Sequence, residues 1–443
     1  MRKLLTVLLF IPLLSLSQQK IKGTFSPAFE YDWILIYKVT PTHSNYVGDA
    51  RVDEKGIFEF ELDSTQMAGM YRIVYAVPQE EYNFDIIYNA RENIEFTFNS
   101  ETGLEYQESN ENKLMSSYTN SMAMVSQSIG NFYNQKSTDS TALMSIFQTQ
   151  KETQKEFENI SEGTIASHFI KANRPYIPES FQDIQRYISN IRTHFFDHVD
   201  FNNEVLQSSN FLVERTLNFV FGLVAGGQSD AEMYKQNIVD VASAMEKASL
   251  QTRKMLLHIV WRQLSEANYE EVANFITDQY LLSIAKELND SELINEITSF
   301  KNISRGEIAP DFDIDWDDGE TKEKKKLSEL DIADNYIVVF WSSGCSHCLE
   351  ELPQLRDFIK SVKDQKLKVI AVGLEDDEYR WKTETYEYPE FIHVIGLGKW
   401  DNEIGNKYNI TSTPTYFILD RDKKIIAKPK AIDDLKDFVS AQK

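Results

Sequence analysis

The sequence predicts a multidomain protein with an N-terminal all-β sandwich, a central α-helical domain and a C-terminal α/β domain. Apolar and polar residues alternate at period two between Lys20 and Asn99, which is typical of short strands. Apolar residues then recur at spacings of three and four between Glu111 and Phe300, as they do in amphipathic helices. Beyond Ile303, strand-like and helix-like segments alternate and a β-hairpin follows, which indicates an α/β domain. We therefore expect domains at residues 18–105, 106–302 and 303–443.

Residues 1–17 are predicted to be a secretory leader. Arg2 and Lys3 precede the apolar stretch Leu4–Leu16, and Ser15-Leu16-Ser17 forms a small-x-small cleavage site. The apolar stretch is short for a membrane span, which leaves an uncleaved anchor as the alternative. No cysteine lies at the cleavage site, which argues against a lipid anchor. We expect an exported, soluble mature protein with no integral membrane segment.

Net charge and cysteine content restrict the possible functions. The chain has 443 residues and a formal net charge of −23 at pH 7. A chain this acidic repels phosphate backbones and anionic lipids, so nucleic acid is not expected among its partners. Its 2 cysteines, Cys345 and Cys348, form a single Cys-x-x-Cys motif. This content excludes a disulfide framework and a zinc site built from two Cys-x-x-Cys pairs.

The β part is predicted from strand patterns at regular spacing. In Ile57–Leu62 apolar and acidic residues alternate directly after a predicted turn at Asp53–Gly56. About seven such segments predict a small sandwich. Aromatic residues recur on one face of these strands, and we interpret them as core in preference to a ligand-binding face. We find no catalytic constellation in this part of the sequence.

The helical part contains one pair of candidate metal ligands. A capping-box pattern, Ser229–Glu232, predicts the start of one of its helices. His194 and His198 lie four residues apart and could bind a metal together with Asp197 or Asp200. No glutamate follows the first histidine as it does in the metalloprotease pattern, and the aromatic residues in between favour a core helix.

The acidic segment Asp311–Gly319 has two interpretations. A calcium-binding EF-hand loop needs glycine at its sixth position and glutamate at its twelfth, and this segment provides neither. Its strict alternation instead predicts a strand whose buried face is formed by Phe312, Ile314 and Trp316. We expect a turn at Asp318–Gly319 and a second, solvated turn at Lys322–Lys326.

The Cys-x-x-Cys motif lies where a predicted strand meets a predicted helix. The apolar run Ile337–Val339 precedes it, and leucines at helical spacing follow it. Cys345 is thereby placed at a helix N-terminus, where unpaired amides and the helix dipole stabilise a thiolate, and Cys348 lies one turn further on. This is the arrangement that thiol–disulfide exchange requires. Zinc bound by both cysteines and His347 is the alternative, although one tight turn suits tetrahedral ligation poorly. Covalent haem needs a histidine directly after the second cysteine, where Leu349 stands.

Three segments resemble the thioredoxin-fold proteins. Phe340–Pro353 is similar to their active site, and its Cys-x-x-Cys-x-x-Glu-x-Pro form resembles that of the TlpA-like envelope family. Ile308–Phe312 with Leu327–Leu330 resembles the lead-in segment, and Thr411–Asp420 resembles the cis-proline loop with its following strand. The resemblance covers roughly residues 303–443. Two departures are Val339, in place of a buried aspartate, and Gly344, in place of a second tryptophan.

The resemblance implies a set of site residues and no cofactor or metal. The residues expected to be catalytic are Cys345, Cys348 and Glu351. The residues expected to bind substrate are Trp341, His347, Thr413 and Pro414. Protonated His347 would stabilise the Cys345 thiolate. Glu351, three residues after Cys348, returns to the same helix face and could accept the proton that Cys348 loses.

The expected function is thiol–disulfide exchange in the periplasm of a Gram-negative envelope. The resemblance implies an enzyme that reduces or isomerises disulfides in envelope proteins and receives electrons from a membrane donor protein. It also implies that a β-rich N-terminal domain accompanies the redox module. Two alternatives remain. A thiol peroxidase uses the same fold, although its Pro-x-x-x-Thr-x-x-Cys motif is absent here. An envelope binding protein with an accessory thioredoxin module is the other.

Overall fold

The computed structural model describes residues 19–63, 65–223, 229–317, 322–362 and 366–442. The predicted leader, 1–17, and the predicted turn at Asp318–Gly319 lie outside these residues. Within them the predicted order of a β sandwich, an α-helical region and an α/β domain is confirmed. Contacts divide the chain into two compact units, one ending at Leu256 and the other beginning at Leu257. The helices between Leu257 and Ile303 therefore group with the C-terminal sheet.

The N-terminal sandwich consists of two four-stranded sheets. Its strands are β1 (Lys20–Ser26), β2 (Trp33–Val39), β3 (Ser44–Arg51), β4 (Ile57–Glu61), β5 (Gly69–Val74), β6 (Asn83–Tyr88), β7 (Ile94–Asn99) and β8 (Gly103–Glu108). One sheet has the order β4-β1-β7-β8 and the other β3-β2-β5-β6. Strands β1 and β7 pair in parallel, and the other neighbours pair antiparallel.

Both sheets of the sandwich contribute side chains to one core. Ile21 and Phe96 from one sheet and Ile36 and Tyr71 from the other are fully buried in the same cluster. A Cβ atom on Gly23 would lie 2.2 Å from the ring of Phe58, so only glycine lets the ring lie against the β1 backbone. The alternating aromatic residues therefore form core, as predicted.

A series of helices follows the sandwich. They are α1 (Asn110–Asn134), α2 (Ser140–Ile160), α3 (Ile165–Ala172), α4 (Ile184–Thr193), α5 (Glu204–Gln207), α6 (Phe211–Leu217), α7 (Asp230–Ala244) and α8 (Leu250–Glu266). The side chains of Asp139, Thr164 and Asp183 accept amide hydrogen bonds at the starts of α2, α3 and α4. Ser229 caps α7 by accepting from the amide of Glu232 at 3.4 Å, where the sequence predicts a helix start.

The second unit begins with a helical layer. After α8 come α9 (Glu270–Ile276), α10 (Leu282–Glu287) and α11 (Ser291–Asn302), with a π-helical turn, Thr277–Leu281, between α9 and α10. The indole of Trp261 donates to the hydroxyl of Thr277 at 3.0 Å, and both side chains are buried. Ile276 and Ile297 are fully buried, so the apolar faces of these helices are covered.

The C-terminal domain is built on a five-stranded sheet of order β13-β12-β11-β14-β15. Its strands are β9 (Asp313–Asp317), β10 (Lys322–Lys326), β11 (Asn335–Trp341), β12 (Leu367–Glu375), β13 (Ile392–Leu397), β14 (Thr415–Asp420) and β15 (Ile425–Ala427), of which β9 and β10 form a separate pair. Its helices are α12 (Ser346–Ser361), α13 (Tyr379–Thr385), α14 (Glu403–Lys407) and α15 (Ile432–Ala441). Strands β11, β12 and β13 run parallel, and β14 and β15 are antiparallel to their neighbours.

Strand β11 lies at the centre of this sheet and is buried on both faces. Val338 and Phe340 point into one core cluster, and Ile337 and Val339 point into the other. A central strand covered on both sides reads as a continuous apolar run, which explains the pattern in the sequence.

The acidic segment before the sheet is a strand, as predicted. Phe312 and Ile314 are buried and Trp316 packs partly against the core. The solvated turn predicted at Lys322–Lys326 is wrong, because these residues form β10 and pair antiparallel with β9. This edge strand consists of four lysines and one glutamate, and such charges discourage further strand pairing.

Parallel strands end at the same edge of a sheet. The carboxyl ends of β11 and β12 therefore place Trp341 and Glu375 beside the loop that leads into α12. This edge carries the cysteine motif. Among the described residues, none of the helices has the length and apolar character needed to cross a membrane.

Candidate active site

Cys345 occupies the N-cap position of α12. Its Sγ accepts a hydrogen bond from the amide of Cys348 at 3.2 Å, and its S–H group donates to the carbonyl of Thr413 at 3.3 Å. The sulfur thereby takes the role that an oxygen plays in an ordinary helix cap. A thiolate at this position is stabilised by the amides of the first turn and by the helix dipole.

The two thiols are free and differ in exposure and acidity. Cys345 is partly exposed and Cys348 is fully buried. Partial burial pushes the pKa of Cys345 upward, but hydrogen bonds from Cys348, Thr413 and the His347 amide outweigh it and lower the pKa below its usual value. Burial, followed by the hydrogen bond with Cys345, raises the pKa of Cys348 to about 12. At neutral pH Cys345 is therefore the better nucleophile, in line with the position of the two residues in the motif.

The loop before β14 faces the cysteines. The Thr413–Pro414 peptide bond is cis, as the resemblance implies, and the Thr413 carbonyl is the group that binds Cys345. Thr413 and Pro414 are partly exposed beside the sulfur. This position is compatible with contact to a substrate, and the substrate-binding role of Thr413 and Pro414 stays a prediction.

Glu351 connects three elements beneath the cysteines. Its Oε2 accepts hydrogen bonds from the Tyr416 hydroxyl at 2.8 Å and from the Ile432 amide at 3.2 Å, which ties α12 to β14 and α15. Burial and the Glu351 carboxylate raise the pKa of Tyr416, and the charges of both cysteines act in the same direction. Tyr416 therefore stays protonated and donates to Glu351. The proton-transfer role of Glu351 stays a prediction.

Sequence comparison assigns this part of the chain to a family. Residues 334–425 match the family described as thioredoxin-like, and this stretch contains β11, the cysteine motif and the cis-proline loop. The C-terminal domain is thioredoxin-like. Relatives of this domain named thiol-disulfide oxidoreductase place the chain in that enzyme class.

Two relatives of this domain come from Bacillus. The chain is 26% identical over 123 residues to the thiol-disulfide oxidoreductase ResA of Bacillus cereus, which covers 28% of this chain and 68% of the relative. It is 31% identical over 125 residues to the thioredoxin-like protein YneN of Bacillus subtilis, covering 27% of this chain and 66% of the relative.

A similar solved structure is the thioredoxin domain of a thiol-disulfide oxidoreductase from Bacteroides vulgatus. It is 28% identical with a TM-score of 0.27, and the match covers 31% of this chain and 96% of that one.

Trp341, expected among the substrate-binding residues, has its side chain beneath the site. Trp341 is fully buried in the core of the thioredoxin-like domain. Its ring lies edge to face with that of Tyr388, with the ring centroids 6.5 Å apart. Its indole N–H has no hydrogen-bond partner among the described residues. Trp341 is the last residue of β11, a strand that is buried on both faces. Its side chain therefore supports the site from beneath and has no surface to offer a substrate.

His347 lies on the surface beside the motif. Its side chain is 80% exposed, and Nδ1 lies 3.9 Å from the carboxylate of Glu350. The group of His347 that lowers the pKa of Cys345 is its backbone amide. Stabilisation of the thiolate by the imidazolium ring stays a prediction, and solvent screening limits its size.

Glu375 is a site residue that the sequence analysis missed. The acidic run that begins at Glu375 predicts a helix start, but Glu375 ends β12 and is only 7% exposed. Its carboxylate accepts hydrogen bonds from the amide of Ser343, from the Ser343 hydroxyl at 3.1 Å and from the Ser342 hydroxyl at 3.4 Å. The carbonyl of Ser342 in turn accepts the Cys345 amide at 3.0 Å. Glu375 therefore holds the loop that presents Cys345. An acid at the end of a buried parallel strand is the signal that could have identified it.

The structure does not assemble the metal site considered for the helical part. His194 Nδ1 lies 2.7 Å from Asp197 Oδ2, and its ring stacks on Tyr176 with centroids 4.8 Å apart. In the parts of the chain that the structure describes, no group of three or more His, Cys, Asp or Glu side chains is arranged to hold a metal ion.

Proposed function

We propose that the protein is an exported thiol–disulfide oxidoreductase that reduces or isomerises disulfides in other envelope proteins through Cys345 and Cys348. The observation that carries this proposal is the contrast between the two thiols. Cys345 has a lowered pKa and is accessible, whereas Cys348 is buried directly behind it with a raised pKa. An attacking thiolate paired with a protected resolving thiol is what disulfide exchange needs.

The exchange proceeds in two steps. The Cys345 thiolate attacks one sulfur of the substrate disulfide, forms a mixed disulfide with it and releases the other sulfur as a thiolate. Cys348 then loses its proton and attacks Cys345, which releases the second substrate thiol and leaves a Cys345–Cys348 disulfide. Two electrons have moved from the enzyme to the substrate. A dithiol donor, expected to be a membrane protein, must return them.

Glu351 is the group that we assign to the second step. The Cys348 proton needs an acceptor because burial makes its loss unfavourable. The Glu351 carboxylate lies on the same helix one turn after Cys348, and Tyr416 fixes its orientation. The chain departs here from cytosolic thioredoxins, because Val339, in place of their buried aspartate, is apolar and fully buried.

Trapping of mixed disulfides tests this proposal. A Cys348→Ala variant lacks the resolving thiol, so it should accumulate a covalent adduct through Cys345 with its envelope substrates. A Cys345→Ala variant is the control, since its remaining thiol is buried. Adducts on the control in place of the test variant would reverse the assigned roles. Hydrogen peroxide consumption without a thiol partner would instead identify a peroxidase.

The redox potential tests the direction of transfer. We expect a value between that of thioredoxin, about −270 mV, and that of the protein disulfide isomerase, about −180 mV. Replacing His347 by proline should lower it by about 30 mV or less, because the ring is largely exposed. A value near −120 mV would make the protein a disulfide donor.

A further inference from the structure

A groove adjoins the cis-proline loop on the side of α15. It has a volume of about 640 Å³ and is lined on one side by Pro414 and Tyr416. The segment after β15 provides Lys428 and Lys430, α9 of the helical layer provides Glu270, and the segment after α11 provides Arg305. Its volume lies within the range of about 300–1,000 Å³ that is typical of ligand sites. We refer to these six residues as the cis-proline groove.

Glu270 is buried and forms ion pairs with Arg305 and Lys428, and these contacts fix one wall of the groove. The Glu270 side chain is 8% exposed and accepts hydrogen bonds from Lys428 Nζ at 2.7 Å, from the Arg305 amide at 2.9 Å and from Arg305 Nε at 3.2 Å. Burial raises the pKa of Glu270, but these hydrogen bonds outweigh it and hold the pKa below its usual value. The network therefore joins the start of α9 to both sides of the thioredoxin-like sequence. It also leaves one positive charge in excess.

The remaining charges of the groove, one cation and one carboxylate, leave this excess at one positive charge. Asp434, at the rim, accepts hydrogen bonds from the amides of Lys430 and Ala431, each at 3.2 Å, and caps α15. The Lys430 side chain is exposed and forms no ion pair with any residue that the structure describes. The groove and its rim thus hold three cations and two carboxylates, in a chain whose net charge is −23. A segment with acidic side chains complements this surface.

The groove begins one residue after the group that contacts the reacting sulfur. Tyr416 lines it and donates to Glu351, and Pro414 follows the Thr413 carbonyl that binds Cys345. A polypeptide attached to Cys345 through a mixed disulfide and extended past Pro414 would enter it.

We propose that the groove selects polypeptide substrates that carry acidic residues beside the target cysteine. This inference rests on the proposed function. The helical layer, through Glu270 and its ion pairs with Arg305 and Lys428, forms part of this selectivity site. Small disulfides react at Cys345 without occupying it.

Reduction of three disulfides tests this inference. The substrates are two peptides that differ in aspartate or lysine beside an intramolecular disulfide, and the small uncharged disulfide bis(2-hydroxyethyl) disulfide. We expect the full-length protein to prefer the acidic peptide by about twofold to fivefold in kcat/KM, since partly exposed ion pairs are weak. Lys430→Glu should remove or reverse the preference through KM. It should leave kcat and the rate with the small disulfide unchanged.

Two further variants separate charge from folding. Lys424→Glu makes the same charge change on an exposed residue of the same domain outside the groove and should keep the preference. Arg305→Gln should weaken the preference and Arg305→Lys should retain it, with Tm measured for both. The inference is overturned if the wild type shows no preference or if Lys424→Glu changes it as much as Lys430→Glu.

Binding of the same peptides to a Cys345→Ala/Cys348→Ala variant, followed by fluorescence anisotropy, tests the groove without catalysis. Charge-selective binding by this variant, combined with no disulfide reduction by the wild type, would support the groove and refute the proposed function. Equal binding of both peptides would refute the groove alone.

Discussion

At the residue scale, the difference between the two thiols comes from the elements that surround them. Cys345 receives amide hydrogen bonds at the start of α12, whereas Cys348 points into the core beneath the sheet. The same helix therefore lowers the pKa of one thiol and raises that of the other.

We expect iodoacetamide to label Cys345 first. The lowered pKa of Cys345 gives a larger thiolate fraction at mildly acidic and neutral pH, so its labelling rate should rise with pH through this pKa and level off above it. Cys348, with a pKa of about 12, should stay unlabelled in the folded protein. Mass mapping after limited alkylation measures both, and protein unfolded in urea serves as the control. Preferential labelling of Cys348 would contradict the assignment.

A Glu351→Gln variant should slow disulfide exchange without unfolding the domain. Glutamine keeps the volume of the side chain and an acceptor for Tyr416, but it cannot take up a proton. We expect the resolving step to slow by about 10²-fold, the lower end for general acid–base groups. Tyr416→Phe is a matched variant, since it keeps the ring and removes only the hydrogen bond. The pH–rate profile is the measurement, and an unchanged profile for Glu351→Gln would remove this residue from the mechanism.

At the scale of elements, the loop between β11 and α12 depends on β12. Ser343 is 1% exposed, and its amide and hydroxyl are both satisfied by Glu375 at the end of the neighbouring strand. A carboxylate on one strand thus fixes where the next helix begins.

Replacing Glu375 by alanine should loosen this loop. The Ser343 amide and hydroxyl would lose their partner in a buried setting, which should lower the free energy of unfolding by about 1–3 kcal/mol. Glu375→Gln should restore most of that loss, because an amide can still accept from Ser343. Glu378→Ala, an exposed acid nearby, is the control and should change stability by less than about 1 kcal/mol. Urea unfolding and the alkylation rate of Cys345 are the readouts. A Glu375→Ala protein as stable and as reactive as the wild type would show that the loop keeps its conformation without Glu375.

At the scale of the whole molecule, the compact unit that contains the active site begins before the region of sequence similarity. The matched region starts at residue 334, whereas the compact unit starts at Leu257. Arg305, Lys428 and the fully buried Ser304 all contact groups of the preceding helices.

We therefore expect fragment 257–443 to be more stable than fragment 303–443. The shorter fragment lacks Glu270, which leaves the cations of Arg305 and Lys428 without their carboxylate. The loss of hydrogen bonds to a charged group should cost about 2 kcal/mol in the free energy of unfolding. Both fragments should reduce a small disulfide at similar rates, because both contain the whole cysteine site. Equal unfolding midpoints would show that the helical layer adds nothing to stability. A folded but inactive shorter fragment would show that the layer supplies part of the chemistry.

The features that the sequence determined by itself are local ones. The period-two pattern of the β part, the double-sided apolar run of β11 and the spacing of Cys345 and Cys348 each depend on residues a few positions apart. Such spacings translate directly into one face of a strand or one turn of a helix. The fold class and the reacting cysteines were predictable for this reason.

The tertiary structure alone decided the contacts between distant segments. The sequence predicts Glu375 as part of a helix start, whereas its carboxylate holds the active-site loop through Ser343. Glu270 and Lys428 form an ion pair across 158 positions of sequence. Such an ion pair forms only when whole elements pack together. The spacing of residues along the sequence does not predict it. The side chains that hold the cysteine loop and shape the groove beside it therefore became visible only in the folded chain.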